Sequence, residues 1–169
     1  MGLFSAWRYF ERVDQIPVAE LAAAGVTCVL IDRDNTCVPR DAKVAPPAVS
    51  AWLDEVRAAG IKTCVVSNNF HGSQVEKSAR ELGCEVVHHA MKPAPFALRR
   101  ALSLMGATAD EAVMIGDQVF TDVVAGNLAG VRTILVRPQS RRDLWYTHIM
   151  RVGERLVLRG KTFEDGGER

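Results

Sequence analysis

The chain has 169 residues, of which 48% are hydrophobic and 24% charged, enough apolar content for one sizeable core and too much for a disordered tail. Its 21 Lys and Arg nearly cancel its 20 Asp and Glu, for a net charge of +1, which excludes a chain-wide electrostatic attraction to nucleic acid. No apolar run approaches the roughly 18 residues of a bilayer span.

The first dozen residues mix Phe4, Trp7, Tyr9 and Phe10 with Arg8, Glu11 and Arg12. They lack the basic start, apolar middle and small-residue cleavage site of a secretory signal. Met1-Gly2 is not an acylation signal either, because Ala6 stands where that signal has Ser or Thr. Cys28, Cys37, Cys64 and Cys84 are widely spaced without a C-x-x-C pair, which fits a reducing cytoplasm. Cys28 and Cys64 read as inert core residues, and Cys37 as an oxidation-sensitive bystander.

Short β-branched runs alternate with longer stretches of helical spacing. The first candidate strand covers 27–31. A helix follows over 47–59, where Val49, Trp52, Leu53 and Val56 recur at helical intervals and Gly60 supplies a left-handed stop. After a strand at 61–66, Ser73-Gln74-Val75-Glu76 has the form of a capping box that opens a helix ending at Gly83. A strand at 85–87, a helix at 95–105, a strand at 112–115, a helix at 120–128 and a strand at 132–136 complete the series. The strands are nearly continuous in apolar character, as in parallel sheets covered on both faces. The expected fold is α/β, a three-layer sandwich around a Rossmann-like five-stranded parallel sheet. Without a repeat or long linker, residues 1–169 read as a single domain, with a core at about 26–136 and a basic helical extension at about 140–160.

Ligand sites in such sheets lie beyond the carboxyl ends of the strands. The residues there are Asp32-Arg33-Asp34-Asn35-Thr36, Ser67-Asn68-Asn69, His88-His89 leading to Lys92, and Gly116-Asp117-Gln118 with Thr121-Asp122. Acids gathered at one edge repel unless a cation neutralises them, and hard oxygen donors favour Mg²⁺ over zinc. Cys84 with His71, His88 and His89 lacks the paired spacing of a zinc knuckle. Magnesium with a lysine and a hydroxyl suits a dianionic phosphate. In Asp32-Arg33-Asp34 one carboxylate can attack phosphorus while the other handles protons. Asp122 also has a structural reading, as the cap of the helix it begins.

In these residues the chain resembles the haloacid dehalogenase (HAD) superfamily of Mg²⁺-dependent phosphohydrolases, and within it the YqeG-type group of subclass IIIA phosphatases. The first motif, D-x-D-x-T, appears as Asp32 to Thr36, the second as Ser67, the third as Lys92, and the fourth as Gly116-Asp117-Gln118-Val119-Phe120-Thr121-Asp122, in family order. The resemblance implies that Asp32 is the nucleophile and a Mg²⁺ ligand, and that Asp34 is the acid/base and binds the metal through its main-chain carbonyl. It gives Ser67 a phosphate oxygen, Lys92 the neutralisation of phosphate and nucleophile, and Asp117 and Asp122 the metal. Asn35, Thr36 and Asn68 would shape the phosphate cradle through backbone amides. Arg33 departs from the apolar residue common in relatives; alternation along an extended segment predicts that it points away from the site.

The stretches between motifs leave no room for a cap domain, so the expected site is open and needs a bulky substrate, a partner or a membrane to exclude water. The YqeG-type resemblance implies a phospholipid head group, phosphatidylglycerophosphate. A soluble sugar phosphate or nucleotide is the alternative within the same chemistry. Residues 137–161 hold seven Lys or Arg against two acids, interleaved with apolar residues, a composition suited to peripheral contact with an anionic membrane or to an ordinary solvated helix face. A non-catalytic, receiver-like module is the rival from another class, but receivers carry their acceptor Asp after the third strand, where this chain has His88 and His89.

Overall fold

The computed structural model describes residues 2–69, 72–140, 157–158 and 160–165. Six parallel strands form one sheet: β1 (Arg8–Phe10), β2 (Cys28–Ile31), β3 (Lys62–Val66), β4 (Glu85–Val87), β5 (Ala112–Gly116) and β6 (Arg132–Val136), in the order β1-β6-β5-β2-β3-β4. The five strands expected from the sequence are present, and β1 is added at one edge. Only Phe10 of its three residues is fully buried, so no periodicity announces it. Its register, Arg8 with Ile134 and Phe10 with Val136, comes from pairing with β6.

Among the described residues, five α-helices cover the sheet: α1 (Val18–Ala23), α2 (Pro47–Ala58), α3 (Gly72–Glu81), α4 (Phe96–Met105) and α5 (Val124–Ala129). Alternation along the strands divides the core in two. Val29, Ile31, Val113 and Ile115 pack with Trp52, Leu53 and Val56 of α2 and Val75 of α3. Cys28, Leu30, Ala112 and Met114 face the other way, onto Leu98 and Leu102 of α4 and Ala125 of α5. Each fully buried aliphatic side chain contributes about 1.5–3 kcal/mol. The indole of Trp52 spends its one donor on the carbonyl of Ile16, at 2.7 Å, which ties α2 to the segment before α1.

Three local readings change. Helix α3 begins at Gly72, so Ser73 lies within its first turn rather than ahead of it. The single helix expected over 120–128 is a π-helical turn, Val119–Val123, running into α5. Cys37 is fully buried, and burial pushes its thiol well above the usual range, so it is an inert core residue. The expected basic helix at 140–160 falls almost wholly outside the described residues. Among those described, no helix is long and apolar enough to cross a membrane.

The chain runs β2, β3, β4 in one direction and then returns to the other side of β2 with β5 and β6. The crossover reverses between β2 and β5, whose registers match Ile31 with Ile115. Asp32 and Asp117 therefore leave neighbouring strand ends, at the place where such sheets bind ligands.

Candidate active site

Motif one emerges from β2 with Asp32 fixed by its own backbone, whose amide donates to the carbonyl of Ile115 at 2.8 Å. The chain then turns sharply: the amides of Cys37 and Val38 both donate to the carbonyl of Arg33, at 3.0 and 2.9 Å. Asn35 adopts a left-handed backbone at φ 64°, a conformation that asparagine tolerates better than most side chains. Its amide donates to the Val38 carbonyl at 2.8 Å, and its Oδ1 accepts from the Arg40 amide at 3.1 Å. Asn35 and Thr36 are both fully buried. With its amide committed to the turn, Asn35 shapes the loop from behind rather than offering that amide to a phosphate. Gln139, three residues beyond β6, braces the same loop, its amide donating to the Asn35 carbonyl at 3.0 Å and its side chain to the Thr36 carbonyl.

Arg33 reaches toward α3, away from the acids that could hold a metal, as expected, but the turn adds a contact that alternation does not foresee. Once the strand ends, alternation no longer applies, and the long side chain curls back to pair with the carboxylate of Asp34. Its Nε donates to Ser78 Oγ of α3 at 3.1 Å.

Motifs two and three interlock. Asn68 donates its Nδ2 to the Lys92 carbonyl at 3.0 Å, and its Oδ1 accepts from the Lys92 amide at 2.7 Å. The Asn69 amide donates to Ser67 Oγ at 3.1 Å, which leaves the Ser67 hydroxyl proton to be donated elsewhere. Lys92 is so held that its ammonium reaches three acceptors, Asp32 Oδ1 at 2.6 Å, Asp122 Oδ1 at 2.7 Å and the Val66 carbonyl at 2.7 Å.

Motif four reaches this ammonium because of the π turn. The amides of both Asp122 and Val123 donate to the Gln118 carbonyl, at 2.9 and 3.3 Å, so an extra residue is wound in and the carboxylate of Asp122 swings back over the end of β5. Its Oδ2 reaches back to accept from the Gln118 amide at 3.1 Å; Asp122 lies inside the π turn, with Gln118 ahead of it, so it is not the cap that begins the helix. Gly116 makes the approach possible: a Cβ there would lie 2.2 Å from Asp122 Cγ.

Asp32, Asp117 and Asp122 each present a carboxylate oxygen within 4.8 Å of the others, and all three are buried. Asp34 stands outside this triad, with Oδ2 facing Asn69 Nδ2 at 3.4 Å. Burial pushes the Asp32 carboxyl up; the Lys92 ammonium opposes this, while Asp122 and Asp34 add to it. For Lys92 burial works downward, but the carboxylates of Asp122 and Asp32 outweigh it, and the amine is held in its charged form. One ammonium among three buried carboxylates leaves two negative charges unbalanced. That donor set of hard oxygens fits a divalent cation.

The triad lies at one side of a cleft of about 310 Å³, lined by Asp32, Asp34, Arg40, Asn68, Lys92, Pro93, Gln118, Thr121 and Asp122. Arg40 was not named from the sequence, and Gln118 and Thr121 were named there with the fourth motif but given no role. The described residues between β2 and α2, 32–46, and after β3, 67–69, are loops, and no cap domain stands over the cleft among the described residues.

Comparison with known proteins places this geometry. The haloacid dehalogenase-like hydrolase family matches residues 5–130. The probable phosphatase YqeG of Bacillus subtilis is 35% identical over 89% of this chain and 87% of its own length. The chloroplastic and mitochondrial phosphatidylglycerophosphate phosphatase 1 of Arabidopsis thaliana is 28% identical over 73% of this chain, which spans 38% of that longer protein. The cobalt-bound deoxy-D-mannose-octulosonate 8-phosphate phosphatase of Haemophilus influenzae shares the fold, with a TM-score of 0.54 at 14% identity over 80% of this chain and 89% of its own. With a family match over most of its length and a YqeG relative above 30% identity, the chain belongs to the haloacid dehalogenase-like hydrolases, as one of their phosphatases.

Proposed function

We propose that this phosphatase is a Mg²⁺-dependent phosphomonoester hydrolase that works through an aspartyl phosphate on Asp32, and that its substrate is a phospholipid head group of the phosphatidylglycerophosphate type. The observation that carries the reading is the Lys92 ammonium set between Asp32 and Asp122, with Asp117 beside them.

Asp32, Asp117 and Asp122 would hold the metal by their carboxylates, with Asp34 adding its main-chain carbonyl. When bound, Mg²⁺ supplies positive charge for the phosphoryl oxygens and the crowded carboxylates. Asp32 attacks phosphorus, forming an O–P bond as the bond to the ester oxygen breaks. The electron pair leaves on that oxygen, and Asp34 protonates it. Water then attacks the phosphorus of the acyl phosphate while Asp34 takes its proton. The bond from phosphorus to the Asp32 oxygen breaks, inorganic phosphate departs and the carboxylate is restored. Lys92 offsets charge on Asp32 and the phosphoryl group throughout, and Ser67 donates its hydroxyl proton to a phosphate oxygen. Asn68 keeps Lys92 in place; Asn35 and Thr36 support the loop that carries both aspartates.

The lipid reading is supported by the short loops around the cleft, by the 28% identity to a phosphatidylglycerophosphate phosphatase, and by the basic composition of residues 137–161, which suits peripheral contact with an anionic cytoplasmic membrane face. The test compares phosphatidylglycerophosphate in anionic vesicles with soluble sugar phosphates and nucleotides, using Asp32→Asn as the inactive control. Preference for the vesicle substrate supports the proposal; preference for a soluble ester overturns its lipid part. Phosphorylation of Asp32 without release of phosphate would instead favour a receiver-like module.

A further inference from the structure

Arg33 is a charged side chain in a place where packing alone requires none. It is 6% exposed, and Asp34, its partner, 20%. Ser78, which accepts its Nε, is itself buried, on a face of α3 otherwise given to the apolar Val75 and Ala79. A guanidinium so enclosed is costly unless its donors are used. Here two arms of the planar fork are used for different things: Nε is anchored on α3, and Nη1 donates to Asp34 Oδ1. The other carboxylate oxygen of Asp34 faces Asn69 Nδ2, and Asn69 is joined to Ser67. Asp34 is thus gripped at both oxygens, from motif two on one side and from α3 on the other, while it lines the cleft.

We propose that Arg33 is a positioning residue, which braces itself on Ser78 to hold the Asp34 carboxylate in one orientation through both proton transfers. The inference rests on the reading of Asp34 as acid and base. A carboxylate that must first give and then take a proton gains from a fixed orientation, since small misplacements of a catalytic group are expensive in rate. The fork matters as well as the charge, because a lysine offers a single ammonium and cannot bridge Ser78 and Asp34 with the same rigid geometry.

The test is a double-mutant cycle on turnover of 4-nitrophenyl phosphate with Mg²⁺, comparing wild type, Arg33→Met, Asp34→Asn and the double variant, with thermal unfolding followed in parallel. The expected result is a fall in kcat of about tenfold for Arg33→Met with KM little changed, and no further fall when Arg33→Met is added to Asp34→Asn. Arg33→Lys should recover part of the lost turnover. Ser78→Ala removes the brace without altering motif one, and serves if Arg33→Met does not fold: a loss of a few-fold that disappears in the Asp34→Asn background supports the assignment. Losses that multiply in the double variants, or wild-type kcat in both Arg33→Met and Ser78→Ala, overturn it. If Asp34→Asn is slow while the Arg33 and Ser78 variants are not, only the positioning role fails. If Asp34→Asn keeps full turnover, the acid/base reading falls and takes this inference with it.

Discussion

The same charge pattern, a cation set between two carboxylates, occurs twice among the described residues. At the strand ends Lys92 lies between Asp32 and Asp122, with side chains only 1%, 11% and 3% exposed. At the outer edge of the sheet Arg8 lies between Glu20 and Glu164, with side chains 28%, 54% and 46% exposed. Coulomb's law is common to both, but the surroundings are not: water and salt screen the outer triad, whereas the inner one acts in a medium that magnifies each charge and penalises each missing partner. Reactivity belongs where charge is expensive. The outer triad serves to fasten residues 160–165 against β1.

The largest expected effect comes from breaking the inner triad. Lys92→Met leaves buried carboxylates without their ammonium, at a cost of about 3–5 kcal/mol in stability, and should lower kcat by about 10² to 10³. Chemical denaturation and phosphatase assay measure the two. A Lys92→Met protein as stable and active as wild type would mean that burial does not distinguish the triads.

Gly116→Ala comes next. The added Cβ would sit 2.2 Å from Asp122 Cγ, so the carboxylate must move away from Lys92. We expect a destabilisation of about 1–3 kcal/mol from overpacking, with a loss of activity that Asp122→Asn does not deepen.

Magnesium and pH sharpen the contrast further. The Asp32 carboxyl is pushed up to about 7, by burial first and by Asp122 and Asp34 after it, against the pull of Lys92. Its folded value lies above the unfolded one, about 3.9. Its contribution to stability is therefore full below about pH 4 and is lost as pH rises through 7. The metal-free protein should melt at a lower temperature at pH 8 than at pH 5, and Asp32→Asn should flatten that slope. Magnesium at a hundred times its Kd should stabilise by about 2.7 kcal/mol, more at pH 8, where Asp32 is ionised, than at pH 5.

The inner region was the more legible of the two in the sequence, and for a physical reason. Parallel strands buried on both faces, such as 28–31 and 112–116, read as unbroken apolar runs, and the residues that follow them are polar only because chemistry needs them there. The closeness of Asp32 and Asp117 follows from topology once those strands pair, whereas Asp122 joins them only through the π turn and the bare Gly116. What stayed hidden depends on three-dimensional details. The pairing of Arg33 with Asp34 stayed hidden because alternation ends with the strand, and the turn onto Cys37 and Val38 governs direction beyond it. Asn35 looked like a phosphate-binding amide because nothing local says that its amide is already given to Val38. The edge strand β1 escaped because three residues with one buried side chain carry no period, and its partner at residue 164 lies at the far end of the chain.

That distant pairing yields the smallest prediction. The backbone of Glu164 bonds β1 on its own account, its amide donating to the Tyr9 carbonyl at 2.8 Å and its carbonyl accepting from the Glu11 amide at 2.9 Å. The side chain adds an ion pair with Arg8. That hydrogen bond holds the Glu164 carboxyl below its ordinary value, against a slight upward push from burial. Because the folded value is the lower one, this contribution is present above the unfolded value near 4.5 and is lost as pH falls through the folded one. Glu164→Gln should therefore cost no more than about 0.2–1 kcal/mol at neutral pH, less in 1 M salt, and nothing once both forms are uncharged in acid. Unfolding curves at pH 7 in low and high salt, and again in acid below the midpoint at which the folded Glu164 carboxyl takes its proton, measure all three. A loss that persists in acid or resists salt would show that the side chain acts by packing, and would remove the outer triad from the comparison.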